Sequence, residues 1–351
     1  MAQKPVRMGI VGAGANTRSR HIPGFRAMDG VTITCVANRT LESSQKAATE
    51  LGIPKAHADW RAVVESSDVD AVMIGTWPNT HCEITLAALA AGKHVLTEAR
   101  MACDLAEARK MLAAAQAHPK QISMVVPSPF GLTVDPAIQY LISHNFLGHI
   151  RELVVISADN TFWDYSKPLH WRQDANISGK NILTMGIMHE TLLRWAPPPT
   201  RVFAQTAVLE PTRPIPAEGR IAPVTVPDSV QIVTHLEGGG RGMYHFSGIA
   251  MHGPGKQIYL YGSRGTVRVD FGEKETVFVG PMDYPELKPA EIPAEQLSHW
   301  RVEEEFINAI RGIEPVKLND FATAVKYMEF TEAVALSAER DVPIHLPLPI
   351  A

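Results

Sequence analysis

Val6-Arg7-Met8-Gly9-Ile10-Val11-Gly12-Ala13-Gly14-Ala15-Asn16-Thr17 is the stretch that decides the fold. It reads as a buried strand, Val6–Val11, that enters a tight glycine turn and then a helix. Gly12 and Gly14 permit the sharp turn and a close approach of backbone to a ligand. The N–H groups around Gly14, Ala15 and Asn16 can then point at a pyrophosphate from the start of a helix. Thr17 stands where a third glycine usually lies, which is expected only to relax the packing of helix on strand. In isolation the pattern fits a glycine-rich turn with no ligand equally well, so its neighbours have to carry the argument.

From Val6 to Val126 short apolar runs alternate with helical patterns, the signature of βαβ units and a parallel sheet. The further runs are Val31–Ala37, Ala71–Ile74, His94–Leu96 and Ile122–Val125. Asp104 followed by Glu107 resembles a capping box that opens a helix over Leu105–Ala117, stopped by Pro119. Gly92 closes the helix that runs through Ile84, Ala88 and Ala91. After Pro127-Ser128-Pro129 the texture changes. Strands at Ile150–Ala158, Val202–Leu209, Val230–Leu236, Gly242–Ser247, Gln257–Tyr261 and Thr266–Val269 follow one another, interrupted by one helix at about Asn181–Trp195. Glu210–Pro227, rich in proline, reads as a long loop, and two helices around Val302–Ile310 and Phe321–Glu339 finish the chain. The expected fold is α/β: a doubly wound parallel sheet over 1–126 that binds a dinucleotide, then a substrate-binding and oligomerising α/β domain over 127–351 with a large open, mostly antiparallel sheet.

The 351 residues suit two domains, and 45% apolar with 20% charged residues is ordinary for a soluble globular protein. A formal charge of −4 gives no Lys/Arg field for phosphate backbones, so nucleic acid is excluded and small molecules become the expected ligands. Cys35, Cys82 and Cys103 are far apart with no CxxC, so neither a metal site nor a disulfide framework is expected. No apolar run reaches the ~20 residues that span a bilayer. A cytoplasmic location without membrane attachment is expected.

The second strand ends in Asn38-Arg39-Thr40, without the Asp or Glu that would take a ribose 2′-hydroxyl. A carboxylate there repels a 2′-phosphate, whereas Arg39 can clamp one and Asn38 and Thr40 can donate hydrogen bonds to it. NADP is therefore favoured over NAD as the cofactor.

Three further segments carry a family resemblance. Thr76-Trp77-Pro78-Asn79-Thr80-His81 resembles the TPNxxH motif of the glucose-fructose oxidoreductase/inositol dehydrogenase (Gfo/Idh/MocA) family, and Thr97-Glu98-Ala99-Arg100 stands at the place of its EKP motif. Trp171-Arg172, then Ser178-Gly179 and the helix through Trp195, resemble its WR…GG…helix segment in the same order. The likeness covers nearly the whole chain. It implies a Rossmann domain joined to an α/β domain with an open antiparallel sheet through which members oligomerise, here as a homodimer or homotetramer. It also implies pyridine-nucleotide oxidation or reduction at a carbon bearing oxygen, commonly of sugars or cyclitols. Thr76, Trp77, Asn79, His81 and Glu98 are thereby expected beside the cofactor, with Gly12, Gly14, Ala15, Asn16, Thr17, Asn38, Arg39 and Thr40.

The sequence also departs from that family. This reading puts Arg100 where the family carries its catalytic lysine. A guanidinium stays charged and cannot act as an ordinary base, but it can stabilise an oxyanion or hold a carboxylate. The family's DxxxH pattern falls on Thr184 to Met188, losing acid and imidazole, while His189-Glu190 follows directly and offers a replacement acid/base pair. Equally, those two residues suit a pair bonded to backbone or solvent. His170, Trp171, Arg172, Arg100 and His189 are the expected substrate contacts, whereas His21, His245 and His252 read as ordinary hydrogen-bonded histidines. Three functions stay open. The first is an NADP-preferring oxidoreductase for a sugar, cyclitol or related polyol or ketone. The second is a reductase of a non-sugar carbonyl or imine that bears a carboxylate. The third is a catalytically inactive cofactor-binding sensor or partner subunit.

Overall fold

The computed structural model describes residues 4–349. Among them the chain forms two compact units, residues up to Pro127 with Arg301–Lys326, and Ser128–Trp300 with the residues from Tyr327 on. The single cut expected at 126/127 therefore misplaces one segment. Residues 301–326 return to the first unit, where Val302, Phe306 and Ile307 bury the apolar face of one helix.

In the first unit Val6–Val11 (β1), Val31–Ala37 (β2), Lys55–His57 (β3), Ala71–Ile74 (β4), His94–Thr97 (β5) and Ser123–Val125 (β6) build a parallel sheet ordered β3-β2-β1-β4-β5-β6. All four residues of β4 are buried, as are all of β1 except Arg7, which is what a sheet covered on both faces requires. The strand order turns back between β1 and β4, and ligands of such sheets lie outside the carboxyl ends at that point.

The glycine turn leads into a π-helical turn, Thr17–His21, and on into Ile22–Arg26 (α1). Leu41–Leu51 (α2), Trp60–Val64 (α3), His81–Ala90 (α4) and Leu105–Ala117 (α5) are the remaining helices before β6. Asp104 caps α5 by accepting the Glu107 N–H at 2.9 Å. The Glu107 carboxylate reaches back to the N–H of Cys103 at 3.0 Å, one residue before the N-cap N–H that a full capping box uses. Gly92, at φ +73, turns the chain after α4.

The second unit opens with Asp135–Ser143 (α6), a helix the sequence reading left out. Its strands are Ile150–Ala158 (β7), Pro199–Ala207 (β8), Thr212–Ile215 (β9), Arg220–Pro223 (β10), Ser229–Leu236 (β11), Arg241–Ser247 (β12), Gly255–Gly262 (β13), Gly265–Phe271 (β14), Glu275–Pro281 (β15), Lys288–Pro289 (β16) and Ile344–His345 (β17). Ala175–Ser178 (α7) and Met185–Trp195 (α8) lie between β7 and β8, and Val302–Ile310 (α9) and Phe321–Arg340 (α10) follow β16. The main sheet runs β16-β15-β14-β13-β7-β12-β11-β8-β17, antiparallel throughout except for β7 beside β12. The supposed loop at 210–227 contains the separate hairpin β9–β10, in which Pro214 stands opposite Ile221. Proline tolerates a two-stranded ribbon because each strand keeps an unpaired edge.

One face of the main sheet packs on the helices: Val155, Ala204, Ile232, Tyr244 and Ile258 meet Ile138, Met188, Leu192 and Phe330. The other face alternates outward, with Val233 and Met243 directly opposite each other and each 53% exposed.

Candidate functional site

The turn after β1 is built from close backbone contact. Gly12 sits at φ +86, and a Cβ there would lie 2.7 Å from the Gly75 carbonyl carbon and the Thr76 nitrogen. Only glycine allows that approach, so the ends of β1 and β4 meet with no side chain between them. Thr17 does more than relax the packing. It is buried, and its hydroxyl donates to the Gly12 carbonyl at 3.0 Å. The space comes instead from Gly75, where a Cβ would stand 2.1 Å from the Thr17 hydroxyl oxygen.

Asn38 braces the same turn. Its side-chain oxygen accepts the Ala13 N–H at 2.8 Å and its amide donates to the Ser43 carbonyl at 3.0 Å. These bonds use the amide oxygen and one of its two N–H groups. Thr40 caps α2 in a reciprocal bond with Ser43. Arg39 is exposed, with its guanidinium carbon 5.4 Å from the centroid of the Trp77 ring.

The turn fits a dinucleotide phosphate. Among the described residues no acceptor in the chain takes the N–H groups of Gly14, Ala15 or Asn16, and Gly14 and Ala15 are exposed. Unsatisfied donors at the start of a helix, beside a strand crossover, are the arrangement that holds an anion.

Beyond β4 and β5 the loops are tied together from below. His81 is fully buried, with Nδ1 3.0 Å from the Arg100 carbonyl and Nε2 3.1 Å from the Thr76 carbonyl. Burial pushes its pKa down. The expected contact of His81 with the cofactor is corrected accordingly, since it joins two loops from the interior. Asn79 is exposed on the short turn before α4. Glu98 extends β5, and its Oε1 accepts from the Asn16 amide and lies 2.9 Å from His21 Nε2.

His21 is no ordinary histidine. It is wholly buried, and its other nitrogen lies 2.5 Å from Glu303 Oε1 on α9. Burial by itself would lower its pKa, but the bonds to Glu303 and Glu98 outweigh this and raise it to about 9. Glu98 responds in the opposite sense: burial favours its acid form, and the His21 cation overcomes that and holds it below the usual carboxylate value. Glu303 stands 282 positions from His21, and no local pattern announces the pair.

Register corrects the reading of Arg100. Glu-Lys-Pro laid residue for residue on Glu98-Ala99-Arg100 puts the lysine on Ala99 and the proline on Arg100. Ala99 is half-buried, the Ala99–Arg100 peptide is cis, and Arg100 is 5% exposed. A methyl group thus stands where the lysine was sought, and the arginine lies in the interior.

In the second unit the expected catalytic pair is buried. His189 is 2% exposed and stacks on Phe330 with ring centroids 3.7 Å apart, within reach of the Tyr244 hydroxyl. Burial pushes its pKa down to about 3, so at neutral pH it is an uncharged core ring and neither acid nor substrate contact. Glu190, 1% exposed, accepts the Ser128 N–H and pairs with Arg194 at 2.5 Å, while Arg194 also reaches Asp135 at 2.9 Å. Both catalytic assignments are corrected, because α8 turns these side chains into the core.

His170, Trp171 and Arg172 do come together. The His170 ring lies 5.6 Å from that of Trp171, and the Arg172 guanidinium carbon sits 4.2 Å from a Trp171 ring centroid. His170 Nδ1 accepts the Arg172 N–H at 3.2 Å, which fixes the neutral tautomer with a donor on Nε2. Burial and then the neighbouring Arg172 lower its pKa. Arg213, unnoticed in the sequence, is buried and donates to the carbonyls of Phe162 and Asp164. The loop with the exposed Trp163 and Tyr165 is thereby fastened to β9. Among the described residues no group of three or more His, Cys, Asp or Glu is arranged to hold a metal ion, and no helix is long and apolar enough to cross a membrane.

A family model described as the oxidoreductase family, NAD-binding Rossmann fold (GFO/IDH/MocA) matches residues 6–126, and the GFO/IDH/MocA C-terminal domain model matches 137–268. Myo-inositol 2-dehydrogenase of Thermotoga maritima is 24% identical over 277 residues, 78% of this chain and 77% of that protein. Trans-1,2-dihydrobenzene-1,2-diol dehydrogenase of Mus musculus is 28% identical over 75% of this chain and 74% of its own. Among solved structures, levoglucosan dehydrogenase in complex with NADH and L-sorbose superposes with a TM-score of 0.87 at 21% identity, covering 97% of this chain and 99% of that one.

Proposed function

Since the chain belongs to the GFO/IDH/MocA oxidoreductase family, we propose that it moves hydride between NADP and a C–O carbon of a sugar, cyclitol or related polyol or ketone. The observation that carries this reading is the turn at Gly12–Asn16, where the N–H groups of Gly14, Ala15 and Asn16 have no acceptor among the described residues, at the β1/β4 crossover. The bound nicotinamide supplies or accepts the hydride. The chain's own part is to bind and orient: Gly14, Ala15 and Asn16 donate to the diphosphate, and Arg39 holds the 2′-phosphate. Asn79, Trp77 and Glu98 border the cofactor. Relatives that act on inositol, on a dihydrodiol and on levoglucosan support a polyhydroxylated ring as substrate. Arg172 and the Nε2 donor of His170 suit the hydroxyl or carbonyl oxygens of such a ring. Self-association through the outward sheet face at Val233 and Met243 is part of the same proposal.

With alanine at the lysine position, threonine at Thr184 and methionine at Met188, none of the three family acid/base side chains is present. Reduction is the easier direction, because the oxygen can take a proton from water, whereas alcohol oxidation needs an acceptor. Ala99→Lys is expected to raise NADP-dependent polyol oxidation ~10-fold or more, the lower part of what a placed general base contributes. Steady-state oxidation rates over a polyol panel check it. The same three absences favour a second reading, a binding protein without turnover. Ketosugars, inosose-type ketones, keto acids and imines offered with NADPH separate the cases. Turnover of ketosugars or cyclic ketones supports the proposal, turnover of keto acids or imines alone replaces the substrate class, and binding without turnover of any compound supports the sensor.

Arg39 carries the cofactor preference. Arg39→Asp is expected to shift the ratio of NADPH to NADH dissociation constants by ~10- to 100-fold toward NADH, the range for losing a charge-assisted contact. Fluorescence titration with each nucleotide measures it, and an unchanged ratio removes Arg39 from the 2′-phosphate.

A further inference from the structure

His21 and Glu303 are used by none of the steps above. His21 at the end of the π-helical turn lies between Glu98 at the end of β5 and Glu303 in the first turn of α9, with side-chain exposures of 0%, 14% and 5% respectively. Both ring nitrogens face carboxylate oxygens, at 2.9 and 2.5 Å. A neutral imidazole has one N–H and one lone pair, so only the imidazolium serves both partners. The Asn16 amide joins the cluster through Glu98 and stands 3.3 Å from His21 Nε2.

We propose that the His21 imidazolium is a positioning residue for the dinucleotide: by gripping Glu98 and Glu303 it holds Asn16 and Glu98 in place, and its charge sets how tightly the cofactor binds. The proposal rests on the cofactor reading above. Loss of the proton leaves the lone pair of a wholly buried ring against a carboxylate. Glu98 is the more exposed partner, so it is the one to withdraw, and Asn16 is bonded to it. The cluster also goes from one net negative charge to two, close to the N–H groups that receive a diphosphate, and like charge weakens anion binding.

The other charges around His21 are occupied elsewhere. Arg18 on the same turn pairs with Glu50, and Arg20 is exposed. On α9 Glu304 pairs with Arg301, and Glu305 accepts the N–H groups of Lys317 and Leu318. Burial lowers the pKa of His81, the further titratable group facing Glu98. The sign follows from the raised pKa of His21: the cation is complete at pH 7 and is lost as pH rises through about 9.

The test is a fluorescence titration of the full-length protein with NADPH between pH 7 and pH 10, above the titration of the 2′-phosphate at about 6. The wild type is expected to keep a constant dissociation constant to about pH 8 and then to weaken at least tenfold by pH 10. In E303Q the ring keeps one carboxylate, so the weakening should begin at least one pH unit lower while affinity at pH 7 stays within about threefold, and E303D should restore the wild-type curve. A role confined to holding the fold would lower E303Q affinity equally at every pH. Failure of the wild type to bind at pH 7 removes the cofactor reading and this proposal with it. Binding at pH 7 with a flat profile to pH 10, or a limb that E303Q leaves in place, overturns the proposal alone; the wild-type profile decides the matter even if E303Q does not fold.

Discussion

Gly12→Ala is expected to abolish measurable dinucleotide binding and to destabilise the protein by about 3 kcal/mol, combining the strain of a non-glycine residue at positive φ with overpacking. The geometry leaves no route around it. The added carbon would meet the backbone of Gly75 and Thr76 at 2.7 Å, and neither can rotate away as a flexible side chain would. Relief requires the ends of β1 and β4 to part, which displaces the donors at Gly14, Ala15 and Asn16 as well. Chemical denaturation measures the first effect and nucleotide titration of the remaining folded protein the second. Gly14→Ala serves as the control for the stability effect, because a Cβ there meets only the Gly75 carbonyl oxygen at an ordinary 3.6 Å. Equal nucleotide affinity in Gly12→Ala and wild type would detach the turn from the cofactor.

Glu190→Ala should cost about 3–5 kcal/mol of stability, the range for removing one member of a buried ion pair. Arg194 would keep Asp135, which also accepts the Trp195 indole N–H at 2.7 Å, but would lose its stronger anchor. The Ser128 N–H would lose its acceptor as well. Urea unfolding monitored by circular dichroism reads the loss. The same variant answers a question of mechanism: a structural Glu190 predicts that whatever protein stays folded turns over with an unaltered pH profile. A profile that lost a limb would return Glu190 to the chemistry.

How much of this was legible depended on how local each feature is. The βαβ order, the glycine turn, the Asp104 cap and the Gly92 stop are written within a few residues each, and they appear in the structure where the patterns place them. The family's Rossmann and C-terminal domains were legible in the same way, through short motifs in a fixed order. Features made by tertiary pairing were not. His189-Glu190 looked like an acid/base couple because adjacency is visible in sequence, whereas the face a helix turns inward is not. Phe330 and Arg194 decide their roles. His21 looks ordinary in sequence because its partner belongs to a helix that rejoins the first unit only after residues 128–300 have passed through the second. Arg100 falls outside the lysine's place for a simpler reason: in Glu98-Ala99-Arg100 the second residue, Ala99, stands where Glu-Lys-Pro has its lysine. The hairpin β9–β10 hid behind its prolines, which argue against a strand except where an edge stays unpaired.

All of these readings depend on a pyridine dinucleotide at the Gly12–Asn16 turn. Isothermal titration calorimetry of the wild-type protein at pH 7 with NADPH and with NADH tests that directly. The account predicts saturable uptake at one site per chain, tighter for NADPH, and absent from Gly12→Ala. No heat of binding from either nucleotide with correctly folded protein, or identical binding by wild type and Gly12→Ala, would contradict it.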